Sequence, residues 1–467
     1  MRWPSLALAL LAGAAMAADE ESTTSTTESS MTSSSTSTTT SLNISDASVV
    51  TDGTAAVPSG TYQTYSTTVT LDNGDSSVLV STATLNATAT TTGNQTIVTQ
   101  TSDSVTVLVG GAGGGTTTLG NGTMANATAT ASSTSTSTAV VNTQPCNNYA
   151  EFCARNYSNI TMVAAHNSPF VKAGNVAANQ ALDVTAQLDD GIRMLQFQTH
   201  YQNGTMMLCH TSCELLNVGT LEAYLTTVAK WMRQNPYDVV TFLMGNYDYV
   251  NPENFTAPIK NAGLMDYVYT PSKIPMSLDD WPTLSEMILT GKRAVFFLDY
   301  QANQTALPWL MDEFTQMWET PFSPTNANFP CTEQRPPNLS KKNAKNRMYM
   351  ANHNLNIELS LGSIDLLIPN TAVINETNGV TGNGSLGWMA ENCTRDWDRP
   401  PNFLLVDYYN YGNFNGSVFE VAAEMNNVTY NRTCCGQESA AVRGMSVAGL
   451  STILLVAAGL QLCSSMF

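Results

Sequence analysis

Histidine is scarce in this chain, with four among 467 residues. Basic charge is scarce too: 19 Lys and Arg stand against 37 Asp and Glu, a net charge of −18. That balance argues against a nucleic-acid partner and gives no pull toward an anionic membrane. An anionic substrate must be met by local groups. No CxxC pair or His/Cys cluster has zinc spacing, so no metal site is expected among the nine cysteines. Residues 19 to 143 lack cysteine, histidine and tryptophan altogether. A stretch so poor in core-forming residues cannot bury enough apolar surface to offset ordering.

What is present divides the chain unevenly. Arg2, then an apolar run from Leu6 to Met16 ending Ala15-Met16-Ala17, reads as a secretory signal over 1–17. Residues 18–143 are Ser/Thr-rich and low in complexity, as in an O-glycosylated stalk, with weak β-structure expected between Gly60 and Val109. Residues 144–435 carry most of the aromatics and methionines and eight of the nine cysteines, and suit one (β/α)8 barrel in size. Residues 436–467 end in an apolar run with no Lys or Arg after it. With the small residues Ser439-Ala-Ala before it, this reads as a GPI-attachment signal rather than a spanning helix.

Eight cysteines in an oxidising compartment predict disulfides of undetermined pairing. Close spacing makes Cys146–Cys153 and Cys209–Cys213 candidate local loops. Sequons at Asn156, Asn203, Asn254, Asn303, Asn338, Asn392 and Asn427 agree with secretion. The expected location is the extracellular face of the plasma membrane or the cell wall.

The four histidines each sit at or just past the end of a short apolar run: Asn159–His166, Met194–His200, Met206–His210 and Arg347–His353. Such runs read as buried strands. Further strands are expected at Asp238–Met244, Arg293–Leu298 and Asn402–Val406, with helices at Ala177–Asp190, Thr220–Met232 and Leu284–Leu289. Alternation of strands and helices predicts an α/β fold with a mainly parallel sheet. The C-terminal strand ends of a barrel carry its active site, and imidazole titrates near neutrality. Period-two alternation puts Gln196, Gln198 and His200 on one face, a pocket lining, and Arg193 on the other. Lys292 and Arg293 are expected to be solvated, and Asp248 and Asp299 to lie at strand ends.

Several segments together resemble the X domain of phosphatidylinositol-specific phospholipase C. They are Ala164-Ala-His-Asn-Ser168, Gln187-Leu-Asp-Asp-Gly-Ile-Arg193, Leu208-Cys-His210, Trp231–Val240, Gly291–Val295 and Leu405-Val-Asp-Tyr408. The chain looks most similar to the secreted, fungal-type members of the PLC-like phosphodiesterases. The resemblance implies a distorted TIM-type barrel that cleaves a phosphodiester. It makes His166 the general base, His210 the general acid and Asp407 the carboxylate that orients a catalytic histidine. Its charged or metal-ligating positions on the second strand hold Gln196 and Gln198 here. Asn167 matches a calcium-ligand position, but one amide without carboxylates does not hold Ca²⁺, so no cofactor is expected. His200 or Lys172 would then supply the missing cation, and His353 is a further candidate for substrate binding.

The expected partners are a phospholipid or related phosphodiester and the membrane that holds the anchor, with cell-wall glycans as another candidate. The neutral Gln196/Gln198 pair also suits a second reading: a weak or inactive barrel that binds glycans or lipid headgroups. A glycerophosphodiesterase would carry a His-Arg motif and metal carboxylates, which this sequence lacks.

Overall fold

The computed structural model describes residues 144–361, 364–413 and 416–435, parts of 60–71, and short strands within 48–118. The cleavage and attachment signals expected at the two ends lie outside the described residues.

Ten strands of the domain form one sheet. They are β1 (Met162–Ala165), β2 (Met194–Gln202), β3 (Thr205–Cys209), β4 (Asn217–Thr220), β5 (Val240–Asn246), β6 (Ala294–Leu298), β7 (Leu310–Asp312), β8 (Met317–Glu319), β9 (Met348–Asn352) and β10 (Phe403–Val406). Eight run parallel in the order β7-β6-β5-β2-β1-β10-β9-β8, while β3 folds back antiparallel on β2 and β4 on β3. The fold is the α/β, distorted TIM-type barrel that the sequence implies.

The distortion has a local cause. Strands β7 and β8 follow each other in sequence but lie at opposite ends of the sheet path, joined by one helical turn, Glu313–Gln316. A parallel crossover takes a dozen or more residues. A connection of this length cannot bring two parallel strands side by side, and no pairing joins β7 to β8 among the described residues.

Helices end where their caps dictate. Asp183 accepts from the Ala186 amide at the start of α1 (Val184–Asp190), and Gly191 closes it at φ 128°. Thr220 accepts from Ala223 N–H at the start of α2 (Leu221–Gln234). Each such cap is worth about 1 kcal/mol. Helix α2 buries Leu221, Leu225, Val228 and Met232 along one face, roughly 1.5–3 kcal/mol for each side chain.

Strand parity divides the core in two. Val163, Ala165, Leu195, Phe197, Phe242, Phe296, Tyr349, Ala351, Leu404 and Val406 pack outward into the core shared with the helices. Met162, Ala164, Met194, Leu243, Phe297, Met348, Met350, Phe403 and Leu405 fill the lumen. Arg193 falls on the outer face, bonded to Asp238 Oδ1 at 2.7 Å with its guanidinium over the Trp231 ring. Arg293 overturns the expectation of solvation: it is buried, donates to the Met232, Asn235 and Asp238 carbonyls and lies over Tyr267.

The Ser/Thr-rich region is not wholly separate from the barrel. Val69–Thr70 pairs antiparallel with Lys273–Ile274, and the Tyr62 ring sits 4.8 Å from Phe314 and 5.8 Å from Tyr300. Hairpins pair Ala87–Thr92 with Gln95–Gln100 and Thr106–Leu108 with Thr116–Thr118.

Candidate active site

Parity carries straight into the site. Met162 and Ala164 face the lumen, so the next residue on that face is His166, just beyond β1. By the same count Phe403 and Leu405 lead to Asp407, and Met194 leads to Gln196, Gln198 and His200. These groups gather at the C-terminal rim, where a barrel of this type carries its chemistry.

Asp407 is 1% exposed and its Oδ1 lies 2.7 Å from His166 Nδ1. A carboxylate only accepts, so Nδ1 carries the hydrogen and Nε2 is left basic. Asn179 Nδ2 donates to the same Oδ1 at 2.9 Å, and Asn378 Nδ2 holds the Asp407 carbonyl. Gln180 Nε2 ties the His166 and Val406 carbonyls together, joining the tips of β1 and β10. On the other side of the ring, Asn167 Nδ2 reaches His166 Nε2 at 3.2 Å.

His210 stands in a loop closed by the Cys209–Cys213 disulfide, its ring 5.2 Å from Phe170. Burial pushes its pKa down to about 4, the nearby His166 adds to this, and the Ala177 carbonyl opposes it. Its Nδ1 is buried without a hydrogen-bond partner.

The two glutamines face the lumen as expected, but their carbonyl oxygens are engaged. Gln196 Oε1 accepts from Asn167 N–H at 2.8 Å, and Gln198 Oε1 from Thr211 N–H at 3.0 Å. His200 Nδ1 lies 3.2 Å from Asp248 Oδ1, its ring against Tyr247. Lys172 is exposed in the loop after β1. Asp299, at the end of β6, accepts from the Asn246 amide, and burial pushes its pKa up to about 6.

His353 does not join this group. It is one residue past the lumen-facing Asn352, so alternation turns it outward among the helices. There it is fully buried against Phe329, with Nε2 on the Thr377 carbonyl and Nδ1 on Met389 Sδ. Burial pushes its pKa down to about 3. Its expected place at the substrate is corrected on this ground.

Asn179 and Gln180 were missed at the level of sequence. Both are buried at 1% exposure in the segment between β1 and α1, and nothing in a loop pattern marks a buried amide.

Calcium finds a poor donor set here. It prefers several oxygens including carboxylates, whereas the two lumen amides are neutral and their oxygens already accept backbone N–H groups. Among the described residues no group of three or more His, Cys, Asp or Glu could hold a metal ion.

A histidine–carboxylate pair thus lies on the barrel rim with a second histidine near enough to feel its charge. The PI-PLC X domain family model (PI-PLC X 1) matches residues 152–426, and the chain belongs to that family. An "Uncharacterized secreted protein" of Arthroderma benhamiae is 66% identical over 296 residues, covering 63% of this chain and 67% of the relative. "PI-PLC X domain-containing protein 1" of the same organism is 40% identical over 270 residues, covering 57% and 86%. The phosphatidylinositol-specific phospholipase C of Listeria monocytogenes superposes with a TM-score of 0.38 at 13% identity, covering 61% of this chain and 97% of that one.

Proposed function

We propose that this chain is a phosphoric diester hydrolase of the phospholipase C type, with His166 as general base and His210 as general acid. The observation that carries the reading is the contact of buried Asp407 with His166 at 2.7 Å, close enough to His210 for one imidazole to depress the pKa of the other. A substrate hydroxyl next to the phosphate displaces Asn167 from His166 Nε2 and gives its proton to that nitrogen. The hydroxyl oxygen bonds to phosphorus as the bond to the leaving alkoxide breaks. That alkoxide takes the proton carried by His210, leaving a cyclic phosphodiester. Asp407 holds the tautomer and stabilises the imidazolium that forms.

The substrate is a phospholipid or related phosphodiester, and no metal takes part. His200, 3.2 Å from Asp248, and exposed Lys172 are the candidates for the positive charge that Gln196 and Gln198 do not carry. Membership of the PI-PLC X family supports the reading. The neutral amides favour one alternative, a weak or inactive barrel that binds headgroups or glycans.

The test is hydrolysis of labelled phosphatidylinositol and phosphatidylcholine vesicles, with and without EDTA. His166→Ala and His210→Ala should each lower turnover about a hundredfold or more. Folded variants that keep most of their activity overturn the assignment, and complete loss in EDTA restored by Ca²⁺ overturns metal independence.

A further inference from the structure

We propose that Gln196 and Gln198 are positioning residues, latches that fix the two histidine loops onto strand β2. The proposal rests on the acid–base reading of His166 and His210.

The two contacts are matched. Gln196 Oε1 accepts from the amide of Asn167, the residue after His166. Gln198 Oε1 accepts from the amide of Thr211, the residue after His210. Both amides belong to residues in the left-handed region, Asn167 at φ 49° and Thr211 at φ 62°. That conformation is unfavourable for an L residue, above all a β-branched one. It persists only where surrounding contacts over-determine it. The chain turns sharply after each histidine, and each turn is met by an acceptor from one rigid strand. Successive lumen-facing positions on β2 thereby set the spacing of base and acid.

The side chain that does this must accept, must place its acceptor three bonds beyond Cβ and must carry no charge. An Arg at either position has no acceptor. A Glu accepts well but sets a negative charge beside the phosphate and beside His210. Glutamine meets all three needs. The family's charged positions on this strand are thus filled here by groups that hold loops instead of phosphate.

Two substitutions at each position separate the latch from its rivals. Gln196→Met and Gln198→Met remove the acceptor at similar length. Gln196→Glu and Gln198→Glu keep it. Hydrogen–deuterium exchange of the Asn167 and Thr211 amides reads the latch with no substrate present. Each should exchange at least tenfold faster in the matching Met variant and at the wild-type rate in the Glu variant. On phosphatidylinositol vesicles, Met should lower kcat about tenfold with KM within twofold. Gln198→Glu should keep kcat, raise KM, and move the alkaline limb of the pH profile upward, because a carboxylate favours protonated His210.

Unchanged exchange in folded Met variants overturns the proposal. So does a rise in KM alone, equal in Met and Glu, which would make the amides phosphate ligands. If the two His→Ala enzymes remain active, the acid–base reading fails while the exchange result still decides the latch. If they are inactive and the Gln variants are indistinguishable from wild type, the latch fails alone.

Discussion

An imidazole pressed against an aromatic ring loses the hydration that its cation needs, so burial lowers its pKa. His210 is in that position, and at a pKa of about 4 only about one molecule in a hundred holds the proton at pH 6. A general acid works only when protonated. Its lowered pKa therefore places the alkaline limb of kcat/KM, which reports the free enzyme, on the acid side of neutrality. We expect kcat/KM to rise as pH falls from 8 through neutrality. An anionic phosphate raises the His210 pKa once bound, so kcat should hold to higher pH than kcat/KM does. Initial rates between pH 4 and 8 measure both, and a level kcat/KM across pH 5 to 8 would remove His210 from the acid role.

Among the elements, the small Cys209–Cys213 loop differs in kind from the long Cys331–Cys393 one. Their sequence separations are 4 and 62. Chain entropy alone makes the first worth about 2 kcal/mol and the second about 4. The short loop, however, carries His210 between its two sulfurs. Replacing Cys209 and Cys213 by Ser should lower kcat about tenfold with a small loss of thermal stability. Replacing Cys331 and Cys393 should do the reverse. Paired melting and turnover measurements decide it, and a short-loop variant with wild-type turnover would assign that disulfide to stability alone.

At the scale of the molecule, the barrel is one part of a longer design. We propose that the signal over 1–17 is removed, that 18–143 is an O-glycosylated stalk, and that 436–467 is exchanged for a GPI anchor near Ser439. Disulfides such as Cys146–Cys153, Cys209–Cys213 and Cys331–Cys393 suit an oxidising compartment, and the 66%-identical relative carries the name of a secreted protein. Among the described residues no helix is long and apolar enough to cross a membrane. Enzymatic cleavage of GPI anchors should release the protein from membranes. Mass spectrometry should find Ala18 at its start and no peptide from Leu454 to Leu462, whose presence would refute the anchor. The docking of Tyr62 and of Val69–Thr70 on the barrel shows that the Ser/Thr-rich region also reaches the domain surface.

The sequence by itself determined the strands, their parallel arrangement and the face on which Gln196, Gln198, His200 and Arg193 lie. Hydrophobic periodicity is a local property, so it survives without a structure. It also marked His166, His210 and Asp407, because each ends an apolar run inside a recognisable segment. The open seam, the buried amides of Asn179 and Gln180, and the latching bonds of the two glutamines were decided only by the tertiary structure. They depend on what lies opposite a residue across the rim, 228 positions away in the case of Asn179 and Asp407. His353 shows the same limit. Its apolar run was read correctly, but a shift of one residue past the strand end reverses the face, and only packing against Phe329 reveals which side that is.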